Sequence, residues 1–427
     1  MNLANVIRRK VFWLRHKAMH HSYLEISRIN NTYDDTAKKQ IANQLQHLLE
    51  HASKTTEYYR NMGDCIDNYG IINKETVINH RKEMISSEYK GQKLHEMQTS
   101  GSTGIPFTMQ QDLGKRSRVI AEIKAMNDWA GYPSHEKMLY IVGASKDFKF
   151  SKWQQWKENI YRIGVSVNDR ATMKKVVDFL IKQKPVALHA SASNIPPIIE
   201  YIKDNKIPSA RFSIKTVITG GEMVPEKLCD DICEAFGQEC IIAIKYSNEE
   251  MGIMAQKVNG DYRINVADYY IEIFKLDSDV PCADGELGRI IVTDLYNFAI
   301  PLIRYDTGDI GAIDRNPFPH ITQLSGKRRD LIYDTKGNSI SGATITNIFK
   351  YMKHVKMWQL VQKSQKEYLY KIVPISETTL PTNEDILLPN LYQLLGNDAE
   401  IQVELVAEIP TIQSGKRRYT VNLYKPQ

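Results

Sequence analysis

Strand-sized β-rich runs alternate with helical patterns between residues 115 and 243 of this chain. In the helical patterns the apolar residues recur with helical spacing, whereas the β-rich runs are short and rich in branched side chains. The β-rich runs lie at 137–142, 184–188, 215–219 and 239–243, and the helical patterns lie at 115–130, 171–183, 194–206 and 225–236. Because parallel strands need a crossover connection, this alternation predicts βαβ units and a mainly parallel sheet.

The pattern changes on either side of this region. Residues 37–60 carry helically spaced apolar residues, whereas the strands after about residue 262 follow one another without long helices and predict a β-rich, more antiparallel subdomain. A chain of 427 residues is long enough for two domains, and a Gly-Lys-Arg-Arg-Asp cluster at 326–330 precedes a final mixture of strands and helices. We therefore predict an α/β fold with a helical N-terminal extension, a large domain and a small α+β C-terminal domain. Their limits are 1–62, 63–325 and 326–427.

The composition limits the classes of function. Charged residues make up 25% of the chain and the hydrophobic class 42%, as in a globular protein rather than a disordered one. No stretch of about 18 uncharged apolar residues occurs, so the sequence predicts no transmembrane helix. The net charge of +6 is spread thinly and argues against nucleic acid as the main partner, whereas anionic small molecules stay open.

The five cysteines form an odd set without a repeated Cys-X-X-Cys motif. This argues against a disulfide scaffold and for a reducing compartment, so we expect a cytoplasmic protein. Cys229, Cys233 and Cys240 could supply three thiolates to zinc, but no fourth ligand follows at a recognisable spacing. Buried structural thiols are the favoured interpretation.

The first thirty residues are basic and amphipathic. They carry six lysine and arginine residues against one acid, Glu25, and these charges are interleaved with apolar residues. Lys10 and Arg15 bracket only four apolar residues, which are too few for a secretory signal. Such a segment either attaches to an anionic membrane surface, at the inner face of the membrane, or packs its apolar stripe on the body of the protein. We favour packing, because docking helices carry the same signature.

The segment Thr99-Ser-Gly-Ser-Thr-Gly-Ile-Pro106 concentrates hydroxyl groups and glycines before a helical pattern. Hydroxyls and exposed backbone N–H groups suit a polyphosphate, and glycine lets the backbone approach it closely. The Walker pattern is absent because no Lys-Ser/Thr pair follows, and this disfavours a P-loop ATPase.

Four further segments concentrate polar residues after probable strands. In open α/β sheets, ligands bind at loops that leave the carboxyl ends of strands, so these segments predict one shared site. They are Thr219-Gly-Gly-Glu222, Tyr246-Ser-Asn-Glu-Glu-Met-Gly252, Arg304-Tyr-Asp-Thr-Gly-Asp309 and Pro410-Thr-Ile-Gln-Ser-Gly-Lys416.

In this order and spacing, the five segments resemble the signature motifs of the adenylate-forming superfamily, which includes acyl-CoA synthetases, peptide-synthetase adenylation domains and luciferases. The likeness is greatest to the phenylacetate-CoA ligase branch and its CapK-like relatives in capsular polysaccharide biosynthesis, and it runs from about residue 40 to 420. The resemblance implies a large domain and a small mobile C-terminal domain that rotates about a hinge near 326–330. It also implies that a carboxylate attacks the α-phosphorus of ATP, and that the acyl-adenylate then passes its acyl group to a thiol or another nucleophile.

The resemblance assigns most of the nucleotide contacts to loops. One group of residues would hold the β- and γ-phosphates, and a second would line the adenine. The phosphate group comprises Thr99, Ser100, Gly101, Ser102, Thr103 and Gly104, and the adenine group comprises Gly220, Gly221 and Glu222. Tyr246 would stack on the base, and Asp309 would accept hydrogen bonds from both ribose hydroxyls.

Three charged residues carry the implied chemistry. Glu250 matches the family's magnesium carboxylate, so it is the candidate metal ligand and a candidate catalytic residue. Lys416 matches the mobile catalytic lysine, whose ammonium bridges the substrate carboxylate and the α-phosphate. Lys327 stands where the family usually has an arginine, and it keeps the charge without the planar fork. The implied cofactors are ATP and Mg²⁺, with coenzyme A as co-substrate.

Other positions depart from the family pattern. Ser247 stands where glycine is usual, and Arg329 stands where many members have aspartate. Glu249 stands where a threonine or serine usually contacts the α-phosphate. A second carboxylate there repels phosphate unless it turns outward or joins Glu250 as a metal ligand.

The acyl substrate is not identified by these motifs. The implied fold builds its pocket from segments near 140–150, 189–194, 220–223 and 246–252. Three aromatic residues in or near the first segment either line an aromatic pocket or cover a core. They are Phe148, Trp153 and Trp156.

We therefore expect an AMP-forming acid–thiol ligase that activates a small carboxylic acid and transfers the acyl group to coenzyme A. The alternatives are an amide- or ester-forming ligase of capsular or exopolysaccharide biosynthesis and a non-catalytic nucleotide-binding relative. A polysaccharide precursor, a membrane surface and a second copy of the chain, as a homodimer, stay open as partners. Nucleic acid is not expected as a partner.

Overall fold

The structure is a computed structural model that describes residues 3–99, 107–143, 151–165, 170–327, 331–340, 345, 349, 352–376, 380–410 and 418–424. The chain forms two compact units. The larger unit comprises residues 1–224, 229–307 and 312–323, and the smaller unit comprises residues 225–228, 308–311 and 324–427.

Helices make up the N-terminal part of the larger unit. They are α1 (Leu3–Arg15), α2 (Lys17–Thr32), α3 (Asp35–Thr55), α4 (Lys74–Asn79) and α5 (Arg81–Met84). The start of α3 is fixed by Asp34, whose side chain accepts a hydrogen bond of 2.8 Å from the Ala37 N–H group. Leu48 and Leu49 of α3 are buried, so this helix contributes to the core as its apolar spacing predicts.

A β-hairpin and a long helix follow. Strand β1 (His95–Thr99) pairs antiparallel with β2 (Phe107–Gln111), and α6 (Leu113–Trp129) comes directly after the hairpin. The Asp112 side chain caps α6 by accepting a hydrogen bond of 2.9 Å from the Lys115 N–H group. Helix α2 packs along α6.

Parallel strands then alternate with helices. The elements are β3 (Met138–Gly143), α7 (Lys152–Glu158), β4 (Ile160–Val165), α8 (Arg170–Gln183), β5 (Ala187–His189), α9 (Pro196–Asp204), β6 (Thr216–Gly220), α10 (Glu226–Phe236) and β7 (Ile241–Asn248). The pairs β3–β4, β3–β5, β5–β6 and β6–β7 are all parallel. The predicted βαβ region is therefore confirmed. Leu139, Leu188 and Val217 are fully buried, as expected for strands covered by helices.

The same sheet continues in strands that are mainly antiparallel. These strands are β8 (Gly252–Lys257), β9 (Tyr262–Ile264), β10 (Tyr269–Phe274), β11 (Gly288–Asp294), β12 (Tyr305–Asp314) and β13 (His320–Lys327). The order of the strands is β10-β11-β12-β13-β9-β8-β7-β6-β5-β3-β4. The β-rich region predicted after residue 262 thus extends the parallel sheet.

Charged side chains of α6 are buried against neighbouring elements. The Lys115 Nζ atom lies 2.8 Å from Asp294 Oδ1 of β11, and both side chains are almost fully buried. The next turn of the helix carries Arg118, which donates hydrogen bonds to Asp268 and, at 2.6 Å, to Glu25 of α2. Buried ions of this kind are stable in a protein interior only when they are paired.

The smaller unit has its own sheet and core. Its elements are β14 (Ile332–Tyr333), β15 (Ser339–Ile340), β16 (Val355–Gln362), β17 (Glu367–Pro374), α11 (Leu388–Leu395), β18 (Glu400–Leu405) and β19 (Thr420–Asn422). Four of the strands form a sheet of order β18-β17-β16-β19. The Phe349 ring meets the Trp358 ring edge to face with centroids 4.4 Å apart, and Leu391 and Leu395 complete this core.

The five cysteines are all free thiols. Burial raises the pKa of the Cys240 thiol to about 12. Among the residues that the structure describes, no group of three His, Cys, Asp or Glu side chains is placed to hold a metal ion. In the same residues, no helix is long and apolar enough to cross a membrane.

The buried pair of Lys115 and Asp294 generates a prediction about stability. The substitution Lys115→Met leaves the Asp294 carboxylate buried without its cation and should lower the free energy of unfolding by about 3–5 kcal/mol. The double variant Lys115→Met/Asp294→Asn removes both charges and keeps an acceptor for the Tyr296 N–H group, which Asp294 binds at 3.1 Å. It should recover more than half of the loss in denaturant unfolding. Equal stability of the single and double variants would contradict this account.

Candidate functional site

The candidate adenine segment and the candidate stacking tyrosine lie on adjacent parallel strands. Gly220 ends β6 and is the register partner of Lys245 in β7. Tyr246 is the next residue of β7, and Glu250 lies in the turn that joins β7 to β8. The structure therefore brings Gly220, Tyr246 and Glu250 to the carboxyl ends of two neighbouring strands, as the predicted location requires.

Gly220 allows β6 to approach β7 closely. A Cβ atom at position 220 would lie 2.4 Å from the Lys245 carbonyl oxygen. The φ angle of Gly220 is +152°, which also favours glycine. Gly221 follows with a φ angle of +78° and is exposed, so the backbone of this segment is open to a flat ligand.

The Glu222 side chain holds a neighbouring turn in place. Its Oε1 atom accepts a hydrogen bond of 2.8 Å from the Ser193 N–H group, in the turn that follows β5. Residues 189–194 belong to the implied acyl pocket, and Glu222 belongs to the implied adenine segment. One carboxylate therefore fixes the loop after β5 to the loop after β6.

The Tyr246 ring is buried and its hydroxyl group is anchored. Tyr246 Oη donates a hydrogen bond of 3.3 Å to Thr307 Oγ1, and Thr307 Oγ1 donates one of 2.9 Å to the Ile290 carbonyl oxygen. This relay fixes the orientation of the ring. Thr307 has no role in the motif resemblance, although it stands in a motif segment two positions before Asp309.

The turn after β7 presents Glu250 and Glu249 differently. Asn248 Oδ1 accepts a hydrogen bond of 2.9 Å from the Met251 N–H group, and the Glu250 carbonyl oxygen accepts one of 3.5 Å from the Gln111 side chain. Glu250 is half-buried, whereas Glu249 is exposed. Burial raises the pKa of Tyr140 in β3, and the nearby Glu249 charge raises it further.

A buried carboxyl group underlies this turn. Glu122 of α6 accepts hydrogen bonds from the Ile253 N–H group and, at 2.8 Å, from Tyr269 Oη. Burial raises the pKa of Glu122 well above its usual value, and the nearby Asp268 charge raises it further. A Cβ atom at Gly252 would lie 2.7 Å from Glu122 Oε1, so the last residue of the motif at 246–252 must be small.

Asp309 and Lys327 form an ion pair in the smaller unit. The Lys327 Nζ atom lies 3.0 Å from Asp309 Oδ1. The Asp309 carboxylate is largely buried, whereas Lys327 is half-exposed. The lysine thus keeps the candidate ribose-binding carboxylate oriented from one side, as a single charge rather than a fork.

Several predicted site residues lie outside the described part of the chain. They are Ser100, Gly101, Ser102, Thr103, Gly104 and Lys416. Thr99 is the last residue of β1, and its register partner in the hairpin is Phe107 of β2. The predicted roles of the phosphate loop and of Lys416 therefore stay predictions from the motifs.

Two rings stack at the implied acyl segments. Tyr140 of β3 and His189 of β5 are register partners, and their rings lie parallel with centroids 4.4 Å apart. The Arg162 guanidinium lies 5.3 Å from the centroid of the Tyr140 ring. Burial lowers the pKa of His189 well below its usual value, and the Lys245 and Arg162 charges lower it further. Both effects favour the neutral form of the imidazole in this stack.

The structure contradicts one of the two roles considered for two tryptophans. Trp153 and Trp156 of α7 are both exposed, so they do not cover a core. The reason is that both side chains lie on the solvent-facing side of a short helix. Phe148 lies outside the described residues.

Comparisons with known proteins find relatives for both parts of the chain. Residues 332–423 match the CapK C-terminal domain family. The chain is 24% identical to Protein CapK of Staphylococcus aureus, with 99% of this chain and 97% of that protein covered. Among solved structures, 2-hydroxyisobutyryl-CoA ligase in the postadenylation state, in complex with R3-HIB-AMP, superposes with a TM-score of 0.69 at 18% identity, over 92% of this chain and 90% of the ligase. The amide bond synthetase McbA of Marinactinospora thermotolerans superposes with a TM-score of 0.56 at 14% identity, over 74% of this chain and 66% of the synthetase.

The close approach of β6 and β7 generates a second prediction. Gly220→Ala should destabilise the protein through both a clash with the Lys245 backbone and backbone strain. Gly237→Ala is the matched control, because Gly237 has a φ angle of +114° and a Cβ atom there would meet no described residue within 4 Å beyond its chain neighbours. We expect Gly220→Ala to lower the free energy of unfolding by about 2 kcal/mol more than the control does, as measured by thermal unfolding. Similar losses for the two variants would show that the clash is relieved without cost.

Proposed function

We propose that this chain, which has the adenylate-forming fold and a CapK C-terminal domain, activates a carboxylic acid with ATP and transfers the acyl group to coenzyme A. The observation that carries the proposal is the placement of Gly220, Tyr246 and Glu250 at the carboxyl ends of adjacent strands. The ligase of similar fold has been solved with 2-HIB-AMP and CoA, which supports coenzyme A as the acceptor here. The acid is a small molecule that enters beside the stack of Tyr140 and His189.

In the first step, a carboxylate oxygen of the acid forms a bond to the α-phosphorus of ATP. The bond from that phosphorus to the bridging oxygen breaks, and pyrophosphate leaves with the electron pair. Both reactants are anionic, so cations and aligned N–H groups supply most of the stabilisation. We propose that Lys416 places its ammonium between the acid and the α-phosphate.

The residues at the turn after β7 suit a magnesium ion. Glu250 offers carboxylate oxygens, and Mg²⁺ is usually bound by one or two carboxylates together with water and substrate phosphates. When bound, Mg²⁺ neutralises charge on the phosphates. Glu250 is half-buried whereas Glu249 is exposed, and we assign this role to Glu250.

The remaining residues bind and orient the nucleotide. The relay from Tyr246 to Thr307 and the Ile290 carbonyl oxygen holds the ring in one orientation, so the adenine stacks on a surface that is already formed. Asp309, oriented by Lys327, accepts hydrogen bonds from the ribose hydroxyls.

In the second step, the thiolate sulfur of coenzyme A attacks the acyl carbon and the bond to the AMP oxygen breaks. The negative charge on that oxygen stays with AMP.

A second candidate is an amide- or ester-forming ligase of capsular or exopolysaccharide biosynthesis. The match to Protein CapK over nearly the whole chain favours it, and so does the fold that the chain shares with an amide bond synthetase. In this case an amine or hydroxyl group of a polysaccharide precursor takes the place of the thiol. The two candidates share the first step and differ only in the acceptor.

The neighbouring residues Glu249 and Glu250, together with Lys416, provide the third prediction. Pyrophosphate release from ATP and magnesium, with pooled aryl, fatty and amino acids, should be acid-dependent in the wild type. Glu250→Gln and Lys416→Ala should each lower the rate by about 100-fold or more, because each removes charge stabilisation of the transition state. Glu249→Gln, one residue away, should stay within about threefold.

Repeating this measurement with and without coenzyme A separates the candidates. Thiol-dependent release of AMP supports the first candidate, and acid-dependent pyrophosphate release without thiol dependence supports the second. ATP binding with no release from any pool would reject both and favour a non-catalytic nucleotide-binding protein.

The pair of Asp309 and Lys327 provides the fourth prediction. Asp309→Asn should weaken ATP binding about tenfold, because a neutral amide replaces an ionised acceptor. The wild type should bind 2′-deoxy-ATP more weakly than ATP, whereas Asp309→Asn should bind the two nucleotides nearly equally. Titration calorimetry of the four combinations measures this coupling. An unchanged preference for ATP in the variant would show that the ribose contact lies elsewhere.

A further inference from the structure

Helix α1 docks on the larger unit through one face only. The Asn5 amide donates a hydrogen bond of 2.9 Å to Glu136 Oε2, and the buried Phe12 ring lies 5.0 Å from the His135 ring. The Lys124 Nζ atom makes a cation–π contact with the Phe12 ring, at 4.3 Å from the ring centroid. The predicted packing of the apolar stripe on the body therefore holds for Phe12, whereas Ile7, Val11 and Leu14 of the same segment are exposed.

The opposite face of α1 is apolar and exposed. Leu3, Ile7, Val11 and Leu14 recur at helical spacing, so their side chains share one side of the helix. Leu3 is 73% exposed and Leu14 is 69% exposed, and the two residues between them are exposed as well. A contiguous apolar stripe of this length is more than the scattered exposure that soluble surfaces show.

Helix α7 adds two exposed tryptophans beside α1. Trp153 is 65% exposed and Trp156 is 58% exposed. The Arg8 guanidinium of α1 lies 4.9 Å from the Trp156 ring centroid, which brings the two helices together at this point. Tryptophan suits a membrane–water boundary because its ring is apolar and its N–H group is polar.

Basic side chains border the apolar stripe, and the single acid of the first thirty residues is engaged elsewhere. Lys10, Arg15 and Lys17 are exposed along α1 and the start of α2. Glu25, the single acid among the first thirty residues, accepts a hydrogen bond of 2.6 Å from Arg118. The positive charge beside the stripe is therefore not neutralised within this segment.

We propose that this face binds the surface of an anionic lipid bilayer. The face comprises Leu3, Ile7, Val11 and Leu14 with Lys10 and Arg15 of α1, and Trp153 and Trp156 of α7. An amphipathic helix with an apolar stripe bordered by basic residues lies in the plane of the interface. Its apolar side chains lie below the headgroups and its cations lie among them. Electrostatic attraction between these cations and the anionic headgroups strengthens the binding, and salt screens this attraction.

The charge also argues against a second copy as the occupant. A two-fold interface would place the same patch of each copy against the other, so the basic residues of α1 would face like charges. An anionic bilayer presents the opposite charge over the whole face. Because vesicle binding needs no nucleotide, its outcome is independent of the proposed adenylation.

The test is sedimentation of the full chain with lipid vesicles. We expect the wild type to sediment with vesicles that contain phosphatidylcholine and phosphatidylglycerol, and to bind vesicles of phosphatidylcholine alone about tenfold more weakly. Ile7→Glu/Leu14→Glu should lower binding to anionic vesicles by at least about tenfold. Lys10→Glu/Arg15→Glu should do the same and remove most of the salt dependence.

The matched control places two glutamates on other exposed apolar residues of the larger unit. Ile78→Glu/Val280→Glu changes the net charge by the same amount as Ile7→Glu/Leu14→Glu does, and it should bind vesicles as the wild type does. All the altered side chains are exposed, so thermal unfolding of each variant should match the wild type. Equal binding by wild type and Ile7→Glu/Leu14→Glu, or no binding by the wild type, would overturn the proposal. The proposal would also be overturned if Ile7→Glu/Leu14→Glu lost self-association in sedimentation equilibrium but kept its binding to vesicles.

Discussion

The buried charges of α6 hold the mainly antiparallel part of the large sheet to one helix. Lys115 reaches Asp294 of β11, Arg118 reaches Asp268, and Glu122 reaches the backbone of β8. Each contact is costly to leave unpaired in the interior, so α6 has little freedom to shift relative to these strands. Since β8 follows the Glu250 turn directly, the position of that turn depends on the same helix. The placement of the candidate metal ligand is therefore a consequence of core electrostatics.

The sequence predicted the alternation of strands and helices because burial on both faces leaves a strong pattern there. Val217 is fully buried in β6, and the stretches between strands keep helical spacing. The buried network was not predicted, because Lys115, Arg118 and Glu122 resemble a solvated helix face in the absence of their partners. Those partners are distant in sequence, and no local pattern pairs them. The exposure of Trp153 was missed for the opposite reason, since large aromatic residues are usually buried.

The candidate site was predicted by motif resemblance rather than by periodicity. The order of five segments indicated the adenylate-forming superfamily and a CapK-like branch. The chain shares the fold of a solved acyl-CoA ligase, and residues 332–423 match the CapK C-terminal domain family. The structure adds what motifs do not contain. Thr307 orients Tyr246, Lys327 orients Asp309, and the stack of Tyr140 on His189 stands at the implied acyl segments. These contacts depend on strand register, which a motif does not specify.

The hydrogen bond from the Ser193 N–H group to Glu222 holds the turn after β5 in place without using any side chain of that turn. The donor is a backbone N–H group, which every amino acid except proline provides. Side chains in this turn can therefore be exchanged while the loop stays attached to the segment after β6. Single substitutions in this turn can therefore change the side chains of the implied acyl segment at 189–194 without moving the implied adenine segment at 220–222. Proline at position 193 is the exception, since it would detach the turn from its anchor.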